Sequence, residues 1–269
     1  MHIRAYITSA TALLLAACGV SQQQEVQMGQ QEAAQVNAQL PILQDATINS
    51  YINSLGQSIA HTTSRADLAW EFRVVNSDVV NAFALPGGFI YVNRGVLDRA
   101  ANESELAGVM GHEIEHVVLR HSVKQMEQMQ GANVGVALGC TLLNVCNSQV
   151  AGVAINAAGT AVFAKFSRDD ERQADEGGFN NEMNAGINPR GMLTFFDKLL
   201  AEEQKNGSGS ASSWFADHPG TTDRIADIQR MLAAVPASKL NSLRTNTTAF
   251  NSMKSRLNQL PNAPKTASQ

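Results

Sequence analysis

His112-Glu113-Ile114-Glu115-His116 is the stretch on which the fold turns. Two histidines at this spacing lie about 40° apart around a helix of about 3.6 residues per turn, so both imidazoles can reach one metal ion. Glu113 is too near them in sequence to be a comfortable third ligand, but it is well placed to take a proton from a metal-bound water. The pattern reads as two ligands and a base, provided that it lies on a helix. Asn102 with Glu105 has the form of a capping box, and Leu106, Val109, Met110, Val117 and Leu119 recur at helical spacing after it. A surface helix carrying solvated His and Glu side chains is the competing reading.

A catalytic zinc usually takes three protein ligands and leaves one position open. Among the 6 histidines, His2 falls in the leader and His61 in a polar turn. His121 follows His112 by nine residues, which on a continuous helix puts it on the far side. The metzincin pattern is absent, because positions 119 and 122 are Leu119 and Ser122. A carboxylate from a second helix is the remaining economical answer. A charged helix is visible from Phe166 to Asp175, although such a run can also be a solvated surface.

These two segments together resemble the gluzincin metallopeptidases of the HtpX and BepA-like group, relatives of the CAAX prenyl proteases. The match is His112-Glu113-x-x-His116 with Ser167-Arg168-x-x-Glu171-x-x-Ala174-Asp175. The resemblance implies one Zn2+ per chain held by His112, His116 and Glu171, with Glu113 as general base. It also implies that Asp175, on the same helix face as Glu171, holds a zinc-bound histidine. Asn81 to Val92 is similar to the family's strand pair, with Pro86-Gly87-Gly88 making the turn. Substrate adds to the edge strand there, so the main chain of Ala82, Phe83, Ala84 and Leu85 is the expected peptide contact. A plain core hairpin is the alternative. Asp217-His218-Pro219 with Arg224-Ile225 resembles the family's Thr-His-Pro element, whose His approaches the metal. His218 is then expected to stabilise the oxyanion or to fill the open position in a resting state, unless it merely caps the helix starting near Thr222. Position 115 departs from the family, being Glu where a small residue is usual; it either adds charge to the site or points to solvent.

Arg4 precedes an apolar run from Ala10 to Ala17, and Leu15-Ala16-Ala17-Cys18 resembles the lipobox of bacterial lipoproteins. The run is too short to span a bilayer and carries the charged flank of a signal peptide. By that resemblance, cleavage before Cys18 is expected to leave a lipidated amino terminus, and Gly19 in place of Asp, by resemblance to the usual sorting rule, favours the periplasmic face of the outer membrane. An ordinary signal peptide with an incidental Cys is the alternative. Cys140 and Cys146 remain as an isolated pair in an oxidising compartment. On a regular helix they would point about 120° apart, so a disulfide between them requires the helix to break.

The 269 residues, 44% hydrophobic and of net charge -4, can enclose one sizeable core. Aromatic content is 6% and no basic patch interleaves with it, so nothing points to nucleic-acid binding. The expected class is α+β: a mainly helical metallopeptidase domain with a small β-sheet beside the zinc helix. That sheet combines a strand through Trp70, Phe72 and Val74 with the hairpin. The expected organisation is a signal peptide at 1–17, a lipidated Cys and Gln-rich tether at 18–39, the peptidase domain at 40–260 and a disordered tail at 261–269. The tether is expected to turn helical towards Leu40, and the zinc helix to run to about Gln128. Gln128 to Ala164 carries no charged residue. It reads as two Ala/Gly-rich lid helices or as a membrane hairpin, whose apolar pieces fall short of the ~20 residues a span needs.

The function so implied is a zinc endopeptidase for unfolded or misassembled envelope proteins, with outer-membrane assembly machinery as a candidate partner. Two rivals stand beside it. One is a non-catalytic lipoprotein that holds outer-membrane clients in the same groove; the other is a hydrolase of peptidoglycan cross-links.

Overall fold

The computed structural model describes residues 19–129, 166–206 and 212–264. Cys18 with the leader, Cys140 and Cys146 with the expected lid, and residues 265–269 lie outside the described residues. Within them the fold is α+β and mainly helical. Three strands, β1 (Glu71–Val75), β2 (Ala82–Leu85) and β3 (Phe89–Asn93), form a mixed sheet in the order β1-β3-β2. β1 runs parallel to β3 with Phe72 opposite Ile90; β2 runs antiparallel to β3 with Ala82 opposite Val92. Pro86-Gly87-Gly88 turns the hairpin, with φ of 79° and 104° at the glycines, a region closed to most side chains. β2 lies at one edge of the sheet and β1 at the other.

Trp70, Phe72 and Val74 alternate inward as expected and meet α2 (Ala46–Ala60), whose Ile48, Ile52, Leu55 and Ile59 are all buried. The Asp45 side chain caps α2 by accepting from the Ile48 amide at 3.1 Å. After α3 (Arg94–Arg99) comes α4 (Glu103–Val118), every residue of which is buried from Glu103 to Val117. Burial on every side puts α4 in the core, so its polar side chains need partners inside the protein. Asn102 caps it through the Glu105 amide at 3.1 Å, but the Glu105 carboxylate goes to the Ala101 amide and to Lys198, so only half of the expected box forms.

α5 (Arg168–Asn184) and α6 (Arg190–Asn206) flank α4. A Cβ on Gly178 would stand 3.0 Å from the backbone of Gly111 and His112, so α5 can pass this close to α4 only because Gly178 has no side chain. The short α7 (Ser212–Asp217) leads into α8 (Thr221–Ala234), and α9 (Ala237–Ser242) and α10 (Thr248–Leu257) complete the described fold. Among the described residues no helix is long and apolar enough to cross a membrane.

Two expectations are corrected. α4 does not continue to Gln128: it ends at Val118, Arg120 adopts a left-handed φ of 59°, and a new helical run occupies residues 121–129. The Gln-rich segment is not a tether that turns helical only near Leu40. It forms α1 (Gln22–Gln39), opened by a Ser21/Gln24 capping box. Its Gly29 lies against Pro86, while Ala33 and Val36 pack with Leu85, Phe89 and Tyr91.

Candidate metal centre

Four side chains from three places in the chain converge at the middle of α4. His112 Nε2 and His116 Nε2 stand 3.0 Å apart. Glu171, one turn into α5, brings Oε2 to 3.3 Å from the first and Oε1 to 3.5 Å from the second. His218, just after α7, places Nδ1 3.2 Å from His112 Nε2 and 3.1 Å from Glu171 Oε1. One donor atom from each fits within 4.8 Å, and all four residues are buried. A tetrahedron of zinc bonds about 2.0–2.1 Å long has edges of about 3.3 Å, so these separations fit the ion. The donors fit too, since imidazole with one carboxylate suits zinc, and lone pairs packed this tightly out of water call for a cation or a proton between them.

The electrostatics express that demand. Burial and the Arg224 charge oppose protonation of His112, but Glu171 and Asp175 outweigh them and raise it to about 9. Burial likewise opposes the Glu171 anion, yet His218 and His112 hold its carboxyl well below the usual range. His116 is driven far down, by burial first and then by the neighbouring His112.

Around these donors lies a ring of supports. Asp175 Oδ1 sits 2.8 Å from His112 Nδ1, as the resemblance implies. The Asp175 carboxylate in turn accepts from Arg224 Nε at 2.6 Å and Nη2 at 2.7 Å, and Arg224 Nη1 reaches Glu171 Oε2 at 2.7 Å. His121 does not lie on the far side of α4. The turn through Arg120 brings it back, so that its Nδ1 stands 2.9 Å from His116 Nδ1. With His116 Nε2 aimed at the donor cluster, its Nδ1 carries the proton and His121 accepts it. Phe166 stacks on the His116 ring at 4.0 Å.

Glu113 is buried, and burial pushes its carboxyl up against the pull of His218 and His112. Its Oε1 faces His218 Nε2 at 3.5 Å and has no hydrogen-bond partner among the described residues. Glu115 takes neither course expected of it. Its carboxylate accepts from Asn181 Nδ2 at 2.7 Å and fills the space over Gly177. His218 does not cap α8, whose N-cap is Gly220 with no side-chain bond. Instead Trp214 stacks on its ring at 4.3 Å, and its carbonyl accepts from Arg224.

A cleft open to solvent begins at Glu113 and His218 and runs along Ala82, Phe83, Ala84 and Leu85. Asn81 ties the start of β2 to the His218 segment by donating to Asp217 Oδ2 at 2.8 Å. The sequence-derived residues are thus brought together, apart from Cys18, Cys140 and Cys146, which lie outside the described residues. His121 and Arg224 were the supports that spacing alone missed. Arg224 stood in the quoted His218 segment; no local signal could have placed His121.

Comparison with known proteins agrees with this geometry. The chain is 34% identical over 211 residues to the beta-barrel assembly-enhancing protease of Escherichia coli (strain K12), covering 76% of this chain and 43% of that protein. It is 29% identical over 182 residues to the mitochondrial metalloendopeptidase OMA1 of Schizosaccharomyces pombe, covering 68% and 52%. To the metalloprotease LoiP of Escherichia coli (strain K12) it is 31% identical over 163 residues, covering 61% and 63%. The chain therefore spans less than half the length of the first of these relatives. The zinc-dependent Peptidase family M48 matches residues 46–232. That span holds α4, the Glu171 helix and His218, so each donor of the cluster falls within it, and the chain belongs to Peptidase family M48.

Proposed function

We propose that the protein is a zinc-dependent endopeptidase that hydrolyses peptide bonds of unfolded or misassembled envelope proteins, anchored by lipid on Cys18 at the periplasmic face of the outer membrane. The observation that carries the catalytic part is the position of Glu113: buried beside the donor cluster, at the foot of a cleft whose wall is the edge strand β2. The substrate class and a role beside outer-membrane assembly machinery rest on the name of the beta-barrel assembly-enhancing relative and on the lipobox.

His112, His116 and Glu171 would hold the zinc, with Asp175 and His121 fixing the two rings. Zinc, when bound, supplies Lewis acidity, polarising a carbonyl and lowering the pKa of water to about 7. The main chain of β2, which lines the cleft, would align an extended peptide as an added strand, with a peptide bond beside Glu113. Glu113 accepts the proton of the attacking water and returns it to the leaving amine, and its burial raises it towards the pH at which it must do both. His218, 3.2 Å from His112 Nε2 and 3.1 Å from Glu171 Oε1, would either stabilise the oxyanion or fill the remaining metal position in a resting state. The test is cleavage of unfolded casein: the wild type is expected to cut it, a chelator to stop it, and Glu113→Gln to lose about 10²–10⁴-fold in rate while keeping zinc. Cleavage by Glu113→Gln at the wild-type rate removes the assignment. Radioactive palmitate should label the wild type and not Cys18→Ala.

His218 also favours a second reading. Four protein donors around one ion is the closed arrangement of structural zinc, which suits a non-catalytic holdase. Client binding undiminished by Glu113→Gln, with no casein cleavage by the wild type, selects it.

A further inference from the structure

The cleft has one wall that family membership does not account for. α1 lies before residue 46, where the match to the family begins, yet it contributes Glu32 to the cleft beside Glu113, His218 and β2. That helix is fixed in place. A Cβ on Gly29 would come within 1.8 Å of the Pro86 carbonyl oxygen, and Ala33 and Val36 are buried against Leu85, Phe89 and Tyr91. Tyr91 adds a hydrogen bond to Asn37 at 3.1 Å. Glu32, between Gly29 and Ala33, is held at the cleft by the residues on either side of it.

Its charge is not used by the fold. Among the described residues the Glu32 carboxylate has no hydrogen bond and no ion pair, and burial raises it because nothing there offsets the lost hydration. Glu113 and Asp217 are the other carboxylates, the second already engaged by Asn81, and no Lys or Arg lines the cleft among the described residues. A half-buried carboxylate without a partner, in a cleft that no Lys or Arg lines among the described residues, attracts a cation brought by the ligand, and a site built around one buried polar group rejects a ligand that leaves it unpaired. A lone carboxylate lacks the oxygen set a metal ion needs, so the cation is an organic one.

We propose that Glu32 is a specificity-determining residue, which receives the lysine or arginine side chain of a peptide laid along β2. This rests on the reading of the cleft as a peptide-binding site.

The experiment compares full-length wild-type protein with Glu32→Gln and Glu32→Lys on internally quenched peptides. These differ only in carrying Lys, Arg, norleucine or Glu at each position in turn. The wild type is expected to prefer Lys or Arg over norleucine at one position by about 10-fold or more in kcat/KM, a preference carried by KM. In Glu32→Gln the ratio collapses towards one, and in Glu32→Lys it inverts in favour of Glu. A wild-type ratio of one at every position, or a ratio that Glu32→Gln leaves intact, overturns the proposal. A second arm measures peptide binding by fluorescence anisotropy to Glu113→Gln and to the double variant Glu113→Gln/Glu32→Gln. If no variant cleaves anything, the peptidase reading has failed, and this arm still scores Glu32: Lys-selective binding lost in the double variant upholds it, and unselective binding or none overturns it.

Discussion

Arg224 and Asp175 face each other across two hydrogen bonds of 2.6 and 2.7 Å, and the same carboxylate holds His112 Nδ1 at 2.8 Å. Arg224 thus fixes the group that fixes a metal-binding ring, and its third nitrogen restrains Glu171 as well. Lysine cannot reproduce that fork. Arg224→Lys is expected to lower zinc affinity about 10–100-fold, read by competition with a chromophoric chelator. An affinity equal to the wild type shows that the fork is dispensable.

His121 supports the other ring. Removing the acceptor at His116 Nδ1 in His121→Ala frees that ring to rotate, and zinc should bind about 10–100-fold more weakly. His121→Asn, which retains an acceptor, should recover part of the loss. Equal weakening in both variants points to a packing role instead.

Glu25 joins distant parts of the molecule from within α1. Its carboxylate takes Arg65 at 2.7 and 3.1 Å, Arg120 at 2.7 Å and the Gly87 amide at 3.2 Å. Arg65 also donates to the Val117 carbonyl at the end of α4, and Arg120 to that of Val20. Glu25→Ala strands a buried Arg65, and urea unfolding should show a loss of about 3–5 kcal/mol. A change under about 1 kcal/mol would mean that α1 is held by its apolar contacts alone.

Glu182 lies behind the metal centre, close to Gly111, fully buried with both carboxyl oxygens unpartnered among the described residues. Burial raises its carboxyl well above the usual range, so the folded protein keeps this proton where the unfolded chain releases it. The group therefore costs stability as pH rises above its unfolded value, by at most about 1.4 kcal/mol per pH unit. Glu182→Met should raise the melting temperature more at pH 8 than at pH 5. A gain that does not change with pH contradicts the assignment.

The residues that bind were readable because their geometry is local or their pattern distinctive. His112 and His116 needed only helical spacing; Glu171 and Asp175 needed the resemblance, since an acidic run by itself looks like surface. The half-buried strand at Trp70, Phe72 and Val74 and the glycine turn at Gly87 and Gly88 were equally plain. What escaped depends on contacts between distant parts of the chain. No Gly or Pro marks the end of α4 at Val118; Arg120 takes a strained φ in a place where Glu25, from another helix, holds its guanidinium. That turn carries His121 to His116, a contact that the spacing of a continuous helix does not predict. The early start of α1 is not legible either, because its apolar stripe is thin, little more than Val26, Ala33 and Val36, and its partners are the hairpin and two arginines.

Anomalous diffraction at the zinc edge, from crystals of the zinc-loaded protein, tests the central claim most directly. The account predicts one peak per chain, about 2.0–2.2 Å from His112 Nε2, His116 Nε2 and a Glu171 oxygen. A peak bound elsewhere, or one that the Glu171 carboxylate does not touch, would contradict it.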